Sequence, residues 1–202
     1  MIYGVKWYWW LLLAVFFVLA IILWRKAIIS SRERRERLKK EAEIWKRDYE
    51  LRQKFSTITE KTFAETNDSE LLHGAAMNIQ IALENTSDMN AAFAALESEK
   101  QFVYALEYFN EDAQKSLSEF FRNNGAPLVP VIPDALAAIG ETAYLHLVNE
   151  LLPMFDEESE ISVDKAAIER CNAKFKEVFS SEALLAKAAA FIKENKGVFI
   201  NA

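Results

Sequence analysis

The chain has 202 residues, with 24 Lys and Arg against 30 Asp and Glu, two histidines, five glycines and one cysteine. A lone thiol closes no intrachain disulfide, which excludes a disulfide-stapled scaffold and agrees with a reducing compartment. The net charge of −6 argues against a direct nucleic-acid reader, whose affinity rests on neutralising phosphates with Lys and Arg, and so few glycines leave little for phosphate-cradling loops.

Residues 7–24, WYWWLLLAVFFVLAIILW, are uncharged and are followed at once by Arg25 and Lys26. At about 1.5 Å rise per residue the run covers roughly 27 Å, close to the hydrocarbon thickness of a bilayer. The Leu, Ile, Val and Phe side chains between Leu11 and Leu23 favour insertion by about 5 kcal/mol in total. Trp7, Tyr8, Trp9, Trp10 and Trp24 stand where amphipathic rings settle among headgroups, and with Arg25 and Lys26 they mark the expected membrane interface. A cleaved signal peptide needs a basic n-region and small residues at the cut, and neither is present. The expected order is a short extracytoplasmic N-terminus (1–6) followed by a transmembrane helix (7–24).

Eight Lys and Arg between Arg25 and Lys40 oppose Lys6 alone before the span, so the positive-inside bias gives an N-out chain with its C-terminal part in the cytoplasm. Residues 1–40 carry a net +7 and residues 41–202 a net −13. The basic collar is expected against the anionic inner leaflet of the bilayer, and the acidic remainder should be repelled from that surface and from nucleic acid. A basic protein is the partner that this charge selects.

Residues 25–62 lack Pro and Gly and read as a continuous helical stalk, with Leu38, Ala42, Trp45 and Tyr49 forming a narrow apolar stripe. The stripe spans fewer than three heptads, which leaves open a homodimer through the stalk or docking of the stalk on its own domain. An acidic all-α cytoplasmic domain is expected over 63–202. Asp68 or Ser69 should cap a helix to about Glu84, and a shorter helix should end near Leu96. Further helices are expected over 98–109, 111–123, 133–139, 141–155, 163–179 and 181–196. Gly125 and Gly140 read as left-handed stops, and Pro127, Pro130 and Pro133 predict an extended packed loop over 128–132. Phe102, Leu106, Phe109, Leu117, Phe120 and Phe121 predict one core face. Leu145, Val148, Leu152 and Phe155 predict a second, and the apolar residues from Phe175 to Ile192 a third.

No motif identifies a reaction. His73 and His146 belong to no metal-binding spacing, His146 reads as a partly buried helical residue between Leu145 and Leu147, and Cys171 reads as a small buried side chain. The expectation is a binding module with no enzyme activity, no cofactor and no metal. Asp156, Glu157, Glu158 and Glu160 form the densest acidic group and are one candidate interaction patch, with Trp45 and Tyr49 on the stalk as the apolar alternative.

The order YALEYFNED, SEFFRNNG to Gly125, PDALAAIG to Gly140, then a helix to Leu151-Leu152-Pro153-Met154-Phe155 resembles the DNA-mimic family of bacterial helical domains, as does Ala190-Phe191-Ile192-Lys193-Glu194-Asn195. The resemblance covers about residues 68–200, and departs from the family where Ala113-Gln114-Lys115-Ser116-Leu117 replaces the usual Asn-Gly-Gly. It implies an all-helical domain whose acidic face, in the characterised member type, binds a DNA-binding regulator in place of DNA. In a bacterial cell the anchor would lie in the inner (cytoplasmic) membrane. Two other classes stay open at this point: an immunity or antitoxin-like protein at the membrane, and an unrecognised hydrolase.

Overall fold

The computed structural model describes residues 7–155 and 164–200, and in the first helix the side chains of 7, 8, 11, 18–23, 25 and 27–33 lie outside the description. The described residues form eleven helices and no strand, the all-α class that the periodicity implies. They divide into two units, Met1–Glu50 and Leu51–Ala202.

The described residues of the first unit all lie on one helix, α1 (Trp7–Lys54). Before Asp48, which is half-buried, its described side chains are solvent-facing, including Leu12, Leu13, Phe16 and Phe17, and Lys46 pairs with Glu50 one turn on at 3.7 Å. Among the described residues no helix is long and apolar enough to cross a membrane; the run 7–24 is only partly among them, since nine of its side chains lie outside the description.

The expected continuous helix to about Thr62 stops at Lys54. Phe55 and Ile58 turn into the core, at 0% and 1% exposure, and the chain restarts through a reciprocal cap between Thr59 and Thr62. That cap opens α2 (Glu60–Glu65). Next come α3 (Asp68–Glu84), α4 (Met89–Ala94), α5 (Ser98–Ala113), α6 (Leu117–Asn123) and α7 (Leu128–Ala138). The chain then forms α8 (Thr142–Phe155), α9 (Lys165–Val178), α10 (Ser181–Glu194) and α11 (Lys196–Phe199). Side-chain oxygens of Asp88, Ser116, Asp164 and Ser180 accept from free amides at the starts of α4, α6, α9 and α10. At α3 the N-cap is Asn67, without a side-chain bond, and Asp68 instead lies in the first turn and reaches Lys193.

The proline-rich segment departs from its reading as a loop: α7 begins at Leu128, with Pro130 in its first turn and Pro133 inside. The first amides of a helix have no intrahelical acceptor, so a proline there removes nothing that was bonded. Gly140 does adopt a left-handed φ of 70°. The Glu141 amide donates to Leu136 and the Gly140 amide to Ala137, the paired bonds of a Schellman stop. Gly125 has no such φ, because α6 ends in extended backbone at Asn124.

Helix α5 is central, with Val103 to Glu107 buried in succession, and it packs on α3, α6, α7 and α10. The aromatic faces meet as expected. Phe109 stands edge-on to Phe120 at 5.2 Å and to Phe175 at 5.9 Å, while Phe121 stacks on Phe155 at 5.0 Å. Val178 is the exception and faces solvent.

Candidate functional site

The sequence candidates fall in different places. Asp156, Glu157, Glu158 and Glu160 lie outside the described residues. Trp45 and Tyr49 are exposed on α1, as are Trp9, Trp10, Trp24 and Lys26; the side chains of Trp7, Tyr8 and Arg25 are not described. Cys171 is fully buried, and burial, followed by a hydrogen bond with Glu150, pushes its thiol up to about 11. His146 is exposed, because it sits opposite the buried Tyr144, Leu147 and Leu151 of its helix.

The polar residues of the motif segments serve first to hold helices together. Asn110 of YALEYFNED accepts from the Ser181 hydroxyl at 2.7 Å, and Asp112 accepts from Asn123 and Asn124 at 2.9 Å each. Asn172 accepts from the Ser118 amide and donates to the Ser118 hydroxyl, joining α9 to the start of α6. Lys187 on α10 reaches both the Gly140 carbonyl at 3.1 Å and the buried Glu141 carboxylate at 2.9 Å. These bonds satisfy groups that would otherwise be costly to bury.

Glu107 of the same motif lies in a different setting. Spacings of three and four place Tyr104, Glu107, Tyr108 and Glu111 along one side of α5. His73 and Gln80, two turns apart on α3, border the same cleft, whose volume is about 70 Å³. His73 Nδ1 is hydrogen-bonded to the Glu107 carboxylate, and the Tyr104 and Tyr108 hydroxyls are bonded to each other at 3.1 Å. Burial raises the Tyr104 phenol above its ordinary value, with the Tyr108 hydroxyl adding to the shift. Imidazole and carboxylate atoms of His73, Glu107 and Glu111 lie within 4.8 Å of one another. The sequence reading missed this group, since its members are separated by 34 residues.

Several acidic side chains outside the expected loop are also available to a partner. Glu169 and Glu177 on α9, and Glu182 and Glu194 on α10, are exposed and form no ion pair among the described residues. By contrast Glu84 is held by Arg52, whose hydrogen bond lowers the carboxyl below its ordinary value.

Fold and charge define an acidic, all-helical domain whose motif residues lock helix packing. The chain belongs to the DMP19-like protein family, which matches residues 94–195. The match runs from the last residue of α4 to the C-cap of α10, so it holds Glu107 and Glu111 but not His73. No curated protein and no solved structure matches the chain.

Proposed function

We propose that this chain is a single-pass, membrane-anchored protein-interaction module whose acidic helical domain binds or sequesters a basic protein, a nucleic-acid-binding regulator being the class its family favours. The observation that carries the reading is the DMP19-like match at residues 94–195, which lies within the part of the chain, 41–202, that bears a net −13. Carboxylates displayed on a rigid helical scaffold occupy a cationic surface by the electrostatics that DNA uses on the same surface. The anchor is supported by the apolar run 7–24, its aromatic ends and the basic collar after it. The solvent-facing Leu12, Leu13, Phe16 and Phe17 also support it, as side chains that lipid would cover. The bacterial inner membrane, with the N-terminus outside and the acidic domain beside the anionic cytoplasmic leaflet, follows from the same charges.

Capture from solubilised membranes by the full-length chain tests the reading. A basic DNA-binding protein that duplex DNA displaces is the expected result. A toxin as the captured species, or hydrolytic turnover by the chain itself, would replace it with one of the other two classes.

A further inference from the structure

We propose that His73, Glu107 and Glu111 bind a divalent transition cation of the zinc and manganese class in the cleft between α3 and α5. This inference is independent of the protein-binding reading. Donors around one such ion sit about 2.0–2.2 Å from it, so a usable set must already be gathered within roughly 4.4 Å. One donor atom from each of the three residues lies within 4.8 Å of the others, two of them in contact, so a shift of a few tenths of an ångström gathers the set.

The donor chemistry narrows the ion. One imidazole with two carboxylates suits zinc, manganese, cobalt or ferrous iron, whereas calcium and magnesium favour all-oxygen sets and cuprous copper favours sulfur. Glu107, at 8% exposure, is the fixed ligand, held on the central helix of the fold. His73 is half-buried and Glu111 exposed, so the ion can reach the cleft from solvent. Three protein ligands leave coordination positions open, to be filled by water or by a donor from a bound protein. Gln80, Tyr104 and Tyr108 line the same cleft and supply polar groups around those positions. The competing account is a hydrogen-bonded His73–Glu107 pair that serves packing alone; the two differ in whether metal is taken up stoichiometrically.

The full-length chain in detergent, stripped of metal with a chelator, is titrated with Co²⁺ while its visible absorption is followed, and Zn²⁺ is then added in competition. The expected result is one saturable Co²⁺ spectrum per chain, displaced by Zn²⁺, with a rise in melting temperature on metal addition. Glu111→Gln should weaken binding by at least about tenfold, and His73→Gln should change the shape of the spectrum. Glu182→Gln, far along the chain on α10, should do neither. The metal-free melting temperature of each variant is measured alongside, which separates a loss of metal binding from a loss of folding. Absence of a Co²⁺ spectrum, or the same affinity and spectrum in parent, Glu111→Gln and His73→Gln, would overturn the proposal and leave a structural ion pair.

Discussion

Gly74 on α3 faces the ring of Phe55, and a Cβ at that position would overlap it, colliding with Cζ, Cε1 and Cε2. Both residues are buried, Phe55 fully. Helix propensity alone favours Gly74→Ala by about 1 kcal/mol. The collision works the other way: overpacking a core costs about 1–3 kcal/mol, and expelling the ring altogether costs up to about 3–5 kcal/mol. The net expectation is a loss of about 1–3 kcal/mol, which in a domain of this size lowers the melting temperature by roughly 2–10 °C. Thermal circular dichroism of the full-length chain in detergent measures it. The decisive comparison is the same substitution in a Phe55→Ala background, where the ring is gone and Gly74→Ala should turn stabilising by up to about 1 kcal/mol. Neutral or raised stability from Gly74→Ala in the parent chain would refute the contact, and with it the placement of Phe55 in the core.

Phe120→Ala should cost about 3–5 kcal/mol in chemical denaturation, because its ring is fully buried against Phe109 and Phe121, and Phe121→Ala should lose its stack on Phe155. Cys171 should resist a thiol reagent near pH 8 in the folded chain and react at once in denaturant, as a thiol raised to about 11 has little thiolate there. Tyr104 has a raised folded value, so the stability it contributes is fully present below the unfolded phenol value near 10 and is lost as pH rises above it. Tyr104→Phe should therefore flatten the fall of stability between about pH 10 and 12, read by denaturation at each pH.

Helical periodicity made much of this fold readable, because apolar residues at spacings of three and four must find one another in a chain with few breakers. The three aromatic sets do so around α5. Pro130 misled because in a helix's first turn a proline's missing donor costs nothing, and Pro133 sits inside the same helix. Gly125 and Gly140 look alike in sequence, but only Gly140 is followed by an amide that closes back on the third-last residue of its helix. Phe55 and Ile58 read as stalk residues, since nothing local signals that the chain turns there into a core. The cleft was illegible for a related reason. His73 and Glu107 are ordinary on their own helices, and only the packing of α3 on α5 brings them together. The sole advance signal was the pair of carboxylates four residues apart in EYFNE, and such pairs are common on solvated faces.

Zero-length crosslinking with a carbodiimide in intact membranes tests the central claim most directly, because it joins carboxylates to lysines only where the two already touch. The account predicts crosslinks from lysines of a basic protein to acidic residues within 51–202, with Glu169, Glu177, Glu182, Glu194 and the group from Asp156 to Glu160 as the first candidates. The yield should fall as the screening length shrinks from about 8 Å at physiological salt to about 3 Å at 1 M. Partner contacts confined to the Trp45 and Tyr49 stretch of α1, or a yield unchanged by salt, would contradict it.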